Sequence, residues 1–332
     1  MKRTIYILYI LFFSLSFCTL NTANAQTIPV ADDTQVFITP QFPGPNELVS
    51  IRIENYNQDL NALEISWTLD GKFQKKGVAE KNFQFTTKGL GSVSNIKISS
   101  TAFSKEIIIR PTGMDLMWQT NGYTPPFYKG KAMYTYQSFV DFIAMPYFTT
   151  TSGTQIDPKT LVYKWSRNGT PLGNVSGYGK NIFKTNGGVL AKPLTVSVEV
   201  STIDGSMKSQ KTVSLKSNEP EIVFYENHPL YGILYNKAIP SQFDMSKKEL
   251  SISSAPYFFD VKRKDDSSLS YTWSMNGKKL ENQTKPDSLV LRKPDSTTGG
   301  EASISVAIQK IENTLQYANK SVKILFDSTN TE

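Results

Sequence analysis

The stretch LEISWTLDG at residues 63–71 returns as LVYKWSRNG at residues 161–169 and again as LSYTWSMNG at residues 269–277. Trp67, Trp165 and Trp273 occupy the same position in the three copies, at spacings of 98 and 108 residues. That period is the length of one β-sandwich domain of the immunoglobulin type. The repeat therefore predicts three copies of one domain in a row.

Each copy carries the pattern of a strand that turns back on itself. Leu63, Ile65 and Trp67 alternate with polar residues, which places all three side chains on one face of a strand. Asp-Gly or Asn-Gly follows three residues after the tryptophan, and this pair tolerates the positive φ angles of a type I′ hairpin turn. We therefore predict that Trp67, Trp165 and Trp273 are structural core residues, each packed between two sheets.

Other alternating segments and the turn residues between them complete the predicted architecture. Three of them, Asn95–Ser99, Leu194–Val200 and Ala302–Ile308, predict a strand in the second half of each copy. Breaks at residues 111–113 and 217–220 separate the copies. The predicted fold class is all-β, with tandem Ig-like or PKD-like antiparallel β-sandwich domains. Their predicted boundaries are residues 26–112, 113–217 and 218–328.

The first 25 residues have the features of a secretory signal peptide. Lys2 and Arg3 precede an apolar run that ends near Cys18, and a small-x-small cleavage site lies at residues 23–25. The run is shorter than the ~20 residues of a spanning helix, which favours cleavage over retention as an anchor. Phe17 before Cys18 argues against a lipoprotein site. We expect a secreted or cell-surface protein with no transmembrane segment in its mature part.

The composition argues against most catalytic and metal-binding classes. Cys18 is the only cysteine and His228 the only histidine, so disulfides, a catalytic thiol and the usual zinc sites are not expected in the mature chain. His228 stands in a linker-like stretch, with no Gly-x-Ser-x-Gly motif elsewhere. Asp260, Asp265 and Asp266 are interpreted as solvated turn residues rather than calcium ligands. We predict no catalytic residue, no metal and no cofactor.

Charge argues against nucleic acid as a partner. The formal net charge is +7, of which Lys2 and Arg3 contribute two, so the mature chain is near +5. The basic residues form short, dispersed clusters such as Lys262–Lys264, which we interpret as solvated turn or edge-strand residues. A nucleic-acid groove needs a denser basic stripe.

Two aromatic and proline-rich stretches follow the predicted domain breaks. The first contains Trp118 and continues through residues 123–128, and the second covers residues 224–231. We interpret them mainly as first-strand anchors that pack against the preceding domain. The alternative is a ligand-binding surface.

The Tyr-x-Trp-x-x-Asn-Gly pattern resembles the bacterial Ig-like and PKD-like repeat families, most clearly at residues 163–169. The segments at residues 118–130 and 255–259 look like uncharacterised exported proteins of candidate-phylum bacteria, some of which accompany pilus genes. The resemblance covers most of residues 30–327 and carries no catalytic or metal residues. From stacked sandwiches without catalytic residues we expect a non-catalytic structural or adhesive surface protein, such as part of a pilus, that meets a protein or glycan partner at the cell surface. The alternative is a carbohydrate- or peptidoglycan-binding module that uses exposed Tyr123 or Tyr231.

Overall fold

The computed structural model describes residues 33–188, 192–281, 283–293 and 299–326. The predicted signal peptide, residues 1–25, lies outside the described residues. Strands dominate, and the helical residues in the described part form two single 3-10 turns, Pro158–Thr160 and Gly173–Val175. No helix among these residues is long and apolar enough to cross a lipid bilayer.

The strands fall into three groups along the chain. The first unit contains β1 (Gln35–Thr39), β2 (Leu48–Glu54), β3 (Glu64–Leu69), β4 (Lys72–Val78), β5 (Asn82–Thr86), β6 (Ser94–Ser99) and β7 (Ser104–Ile109). The second unit contains β8 (Gly113–Thr120), β9 (Phe139–Tyr147), β10 (Val162–Arg167), β11 (Thr170–Pro171), β12 (Gly177–Tyr178), β13 (Ile182–Asn186), β14 (Leu194–Ser201) and β15 (Lys208–Leu215).

The third unit contains β16 (Glu221–His228), β17 (Gly232–Ala238), β18 (Gln242–Met245), β19 (Glu249–Tyr257), β20 (Leu269–Met275), β21 (Lys278–Lys279), β22 (Ser288–Arg292), β23 (Gly300–Lys310) and β24 (Tyr317–Phe326). It adds two strands to the common plan. β17 extends one sheet beyond β16, and β18 pairs in parallel with β24 at the edge of the other.

All three units share one strand order. The sheets are β1-β2-β5 with β4-β3-β6-β7 in the first unit and β13-β9-β8 with β11-β10-β14-β15 in the second. The third repeats this order in β17-β16-β19-β22 and β18-β24-β23-β20-β21. Two packed antiparallel sheets with connections that cross between them define an immunoglobulin-like sandwich. The predicted all-β fold class is confirmed.

A separate hydrophobic cluster lies between the sheets of each unit, and one repeat tryptophan belongs to each. Trp67, Trp165 and Trp273 are 0%, 1% and 1% exposed. The indoles lie beside the ring of Phe83, Phe183 or Phe224, at centroid distances of 5.3, 5.6 and 5.8 Å. In the first two units that phenylalanine is on β5 or β13, whereas in the third it is on β16.

The hydrogen bonds of the repeat are the same in all three units. Each indole N–H donates to a backbone carbonyl, that of Glu80, Lys180 or Pro286, at 2.7 to 2.8 Å. The buried indole therefore leaves no unpaired donor. In the turn that follows, Asp70, Asn168 and Asn276 have φ near 50°, and the next glycine is also positive. These are the dihedrals that the Asp-Gly and Asn-Gly pairs predicted.

The turn side chain also fixes the neighbouring strand. The Oδ1 atoms of Asp70, Asn168 and Asn276 accept from the backbone N–H groups of Asn95, Thr195 and Ser303, at 2.8 to 2.9 Å. Each of these side chains thus bonds its turn to the neighbouring strand, which is β6, β14 or β23. An acidic or amide side chain is required here because it must tolerate positive φ and accept a hydrogen bond.

We predict that Tyr163 makes the stability of the second unit decrease at alkaline pH. It is fully buried and donates its hydroxyl to the Pro158 carbonyl at 2.9 Å. Burial, together with the charge of Asp157, raises the pKa of Tyr163 to about 12. A tyrosine in the unfolded chain ionises near pH ~10. The stability that the raised pKa of Tyr163 contributes to the folded state is therefore complete below that pH and is lost as the pH rises toward the folded pKa.

We therefore expect the free energy of unfolding of the second unit to fall above pH ~10 by about 1.4 kcal/mol per pH unit for this group. Tyr163→Phe removes the titrating group, so the variant should show a shallower decline in chemical unfolding measured across alkaline pH. An unchanged slope in Tyr163→Phe would show that Tyr163 ionises equally in both states.

The segment of residues 121–137, here called the covering segment, corrects one prediction. The aromatic-proline stretch was predicted to pack against the preceding domain, but Tyr123 is 8% exposed and belongs to the core cluster of the third unit. Its backbone exchanges two hydrogen bonds of 2.8 Å with Phe258 and Phe259. The physical reason is that Tyr225 and Tyr257 lie on the outer face of the β16–β19 sheet. Burial of their apolar ring surface under the covering segment is favourable.

Close backbone approach holds the covering segment on the third unit. A side chain at Gly122 would meet the backbone of Phe258 at 3.3 Å. Phe258 itself adopts φ 66°, and its carbonyl accepts from the Thr135 hydroxyl at 3.1 Å. A non-glycine residue holds this backbone region only where its surroundings fix it, as they do here from both sides.

Two further interpretations of single residues are corrected. His228 was placed in a linker-like stretch, but it ends β16 and stacks on Tyr231 at 4.8 Å in the β16–β17 hairpin. Asp260 was interpreted as a solvated turn residue, but it is 7% exposed and paired with Lys310. The second aromatic stretch also divides: Phe224 packs on Trp273 between the sheets and Tyr225 is buried on the outer face, whereas Leu230 is exposed.

Candidate functional site

The three tryptophans singled out from the sequence lie in the interior rather than in a site. Trp67, Trp165 and Trp273 each lie in one of the three hydrophobic clusters. Among the described residues, no group of three or more His, Cys, Asp and Glu side chains is placed to hold a metal ion. Asp265 pairs with Arg263 at 2.6 Å, and Asp266 accepts from Ser268, so both carboxylates serve their own turn.

The candidate site is an open groove of about 780 Å³ where the covering segment meets the third unit, here called the junction groove. One wall is formed by Tyr123, Pro125 and Pro126 of the covering segment. The opposite side comes from the third unit, and includes Asn227, Ile233, Tyr235, Ser253 and residues 262–265 and 285–288. The covering segment therefore supplies one wall of the groove, and the third unit supplies the rest.

A cluster of tyrosines forms the base of this region. The hydroxyls of Tyr225 and Tyr257 lie 2.6 Å apart, and the rings of Tyr225 and Tyr235 meet edge to face at 5.2 Å. Burial raises the pKa of Tyr123, of Tyr235 and of Tyr257 above the usual tyrosine value. Burial thus favours the neutral phenol in all three side chains.

A partly buried ion pair holds the floor of the groove. The Lys264 Nζ atom lies 2.5 Å from Asp287 Oδ2 and donates to the Ser253 hydroxyl at 2.7 Å. The side chains of Lys264 and Asp287 are 21% and 9% exposed. The Tyr271 hydroxyl donates to the Lys264 carbonyl, and burial raises the pKa of Tyr271. Lys264 is thus fixed by partners at both ends and is a structural member of the groove.

The rim carries excess positive charge. Four cations line the groove, Lys262, Arg263, Lys264 and Lys285, against the two carboxylates Asp265 and Asp287, which leaves a local charge of +2. Arg263 and Lys264 are neutralised by Asp265 and Asp287. Lys262 and Lys285 are exposed, and neither is in an ion pair among the described residues. The uncompensated charge therefore belongs to these two side chains.

A buried polar chain behind the groove connects the two units. Lys310 Nζ donates to the Asp260 carbonyl at 2.6 Å and lies 3.4 Å from its carboxylate. The Asp260 N–H donates to Gln316 Oε1, and Gln316 Nε2 donates to the Tyr136 carbonyl of the covering segment, both at 2.8 Å. Gln316 is 0% exposed. The chain joins the covering segment to the buried Asp260–Gln316 hydrogen bond of the third unit.

The aromatic residues considered for sugar stacking differ in exposure. Tyr123 is buried, so its predicted role as an exposed stacking platform is wrong. Tyr231 is 77% exposed at the tip of the β16–β17 hairpin, and Phe127 of the covering segment is 94% exposed. Lys262 and Lys285 were not predicted as groove residues. The only sequence signal for them was the basic run at residues 262–264. This run is distant in sequence from Lys285 and from the covering segment.

No protein-family model matches this sequence, and no curated protein is significantly similar to it. Solved structures give distant likenesses. The three N-terminal domains of the Hoc outer capsid protein of bacteriophage RB49 are 11% identical, with a TM-score of 0.26 over 90% of this chain and 99% of that one. The CbhA fibronectin(III)-like modules of Clostridium thermocellum are 12% identical, with a TM-score of 0.25 over 55% and 94%.

Sidekick-1 immunoglobulin domains 1–5 are 10% identical, with a TM-score of 0.20 over 89% of this chain and 59% of that one. At these TM-scores none of the three likenesses bears on function. The fold assignment rests on the strand order of the three units.

Proposed function

We propose that this chain is an exported, non-catalytic surface protein with a structural or adhesive role, as part of a pilus or another extracellular assembly. In this proposal residues 1–25 are a signal peptide and the mature protein is secreted or held at the cell surface. Its partner is a protein or a glycan at that surface. The relationship to exported proteins of candidate-phylum bacteria is part of the same proposal.

The junction between the second and third units is the observation that carries this proposal. Tyr123 enters the core of the third unit, and the Gln316 amide binds the Tyr136 carbonyl at 2.8 Å. Two sandwiches joined by a free linker would need neither contact. A junction with a buried aromatic and a buried hydrogen-bond chain suits a protein that holds a binding surface in a fixed position.

The domain boundaries remain part of the proposal, at residues 26–112, 113–217 and 218–328. The three separate hydrophobic clusters support three independent cores. Tyr123 qualifies the last boundary, since a fragment that begins at residue 218 lacks a side chain of its own core. We therefore treat the second and third domains as a coupled pair.

Carbohydrate or peptidoglycan binding is the second candidate function. Two observations favour it, namely the junction groove with its polar walls and the exposed Tyr231, which stacks on His228 at 4.8 Å. An aromatic ring fixed by a neighbour loses little conformational freedom when it meets a ligand.

Deletion of the gene in its host tests the primary proposal. We expect the deletion strain to lose surface attachment or assembly of the extracellular structure by about tenfold or more, with recovery when the gene is restored. The measurement is a count of adherent cells together with electron microscopy of the surface. Normal attachment and normal surface structures in the deletion strain would contradict a structural or adhesive role.

A further inference from the structure

We propose that the junction groove is a binding site for an acidic oligosaccharide, of the uronic-acid class, and that Lys262 and Lys285 bind its carboxylates. The inference rests on the proposed surface function and names the ligand class for it. It starts from the position of the groove, which the covering segment and the third unit form together.

Charge is the first step. Lys264 and Arg263 are held by Asp287 and Asp265, at 2.5 and 2.6 Å. Lys262 and Lys285 line the same groove from two separate loops and carry its net positive charge. Two exposed ammonium groups in one groove attract a ligand with at least two negative charges. This electrostatic attraction weakens as the ionic strength rises.

The shape and chemistry of the walls give the second step. The exposed Pro126 and the partly exposed Tyr235 offer apolar surface, while the partly exposed Asn227 and Ser288 offer an amide and a hydroxyl group. A pyranose has one apolar C–H face and a ring of hydroxyls, so it matches a wall that alternates between these two kinds of group.

The third step separates a sugar acid from other polyanions. A nucleic-acid strand binds by stacking its bases on exposed aromatic rings. The groove offers only one partly exposed aromatic ring, that of Tyr235, because Tyr123 is buried in the core. One such ring beside the exposed Pro126 cannot stack successive bases, but it can pack against the apolar C–H face of a single pyranose.

The test uses the mature full-length protein and isothermal titration calorimetry with hexagalacturonate, at low and at moderate salt. Maltohexaose is the neutral control, and oligothymidylate and hexa-aspartate are the polyanion controls. We expect hexagalacturonate to bind at least about tenfold more tightly than each of the three controls. Added salt should weaken this binding without abolishing it.

Two double variants make the test specific for the groove. Lys262→Glu/Lys285→Glu reverses the two free charges and should weaken hexagalacturonate binding by about tenfold or more. Lys278→Glu/Lys279→Glu makes the same charge change on β21, where both residues are exposed and outside the groove, and should change the affinity by no more than about twofold.

Several outcomes overturn the inference: no binding of hexagalacturonate, equal binding of maltohexaose or of either polyanion, and an equal loss in both double variants. Each leaves the attachment defect of the deletion strain untouched. A deletion strain with normal attachment would instead contradict the surface function while leaving measured binding by the groove intact.

Discussion

Trp165→Ala is expected to destabilise the second unit by about 4 kcal/mol, a large share of the stability of one domain. Trp165 is 1% exposed, lies between two sheets and packs against Phe183 at 5.6 Å. Truncation leaves a cavity that rigid strands cannot close, and it also removes the indole N–H that satisfies the Lys180 carbonyl at 2.8 Å. Chemical unfolding followed by circular dichroism measures the loss.

Trp118→Ala provides the matched control, since it removes the same side chain from the same unit. Trp118 is half-buried on β8 and its ring faces solvent enough to hold the Lys131 ammonium at 3.5 Å. We expect a loss of about 1 to 2 kcal/mol. Equal losses in the two variants would show that the repeat position has no special role in the core.

Lys310→Met is expected to cost about 3 to 5 kcal/mol in the third unit. The ammonium of Lys310 donates to the Asp260 carbonyl at 2.6 Å and lies 3.4 Å from the carboxylate, and its side chain is 11% exposed. Methionine fills the same space but leaves the buried carboxylate without a counter-charge. The loss therefore comes from an uncompensated charge rather than from poorer packing.

Lys323→Met is the control for this variant, because Lys323 makes a short ion pair with Glu301 in the same sheet. That pair is 2.6 Å long, but its side chains are 47% and 63% exposed. We expect a change of less than about 1 kcal/mol. The double variant Asp260→Asn/Lys310→Met should recover most of the loss, since neither partner then carries a charge. A double variant as unstable as Lys310→Met alone would assign the effect to packing.

Much of the fold could be predicted from local pattern. The turn at Asn168 and Gly169 needed only the preference of that pair for positive φ, and the alternation before Trp165 fixed the buried face. Such signals are contained within nine residues, and they recur three times, so each copy supports the reading of the others.

The junction could not be predicted, because its partners are distant in sequence. Tyr123 follows β8 within the predicted second domain, and its stretch was predicted to pack against the preceding domain. The face that it covers instead belongs to β16 and β19. Nothing near Asp260 indicates that Lys310, fifty residues later, enters the same buried site. The alternation of apolar and polar residues shows which face of a strand is apolar, but it does not show which segment packs against that face.

The candidate site shows the same limit. Lys262 belongs to a basic run that resembles any solvated turn, and Lys285 stands alone in a different loop. They become a pair only through the packing of β19, β22 and the covering segment. A site assembled at a junction has no motif of its own, so the sequence could only identify the fold on which it is built.

Hydrogen exchange of the wild-type protein and of Trp165→Ala, read strand by strand, tests most directly whether each unit is built around its own tryptophan. Amide protection should fall throughout β9, β10 and β14, while β2 and β6 of the first unit and β23 of the third keep wild-type protection. Equal loss of protection in all three units, or none in β10 and β14, would contradict three separate cores.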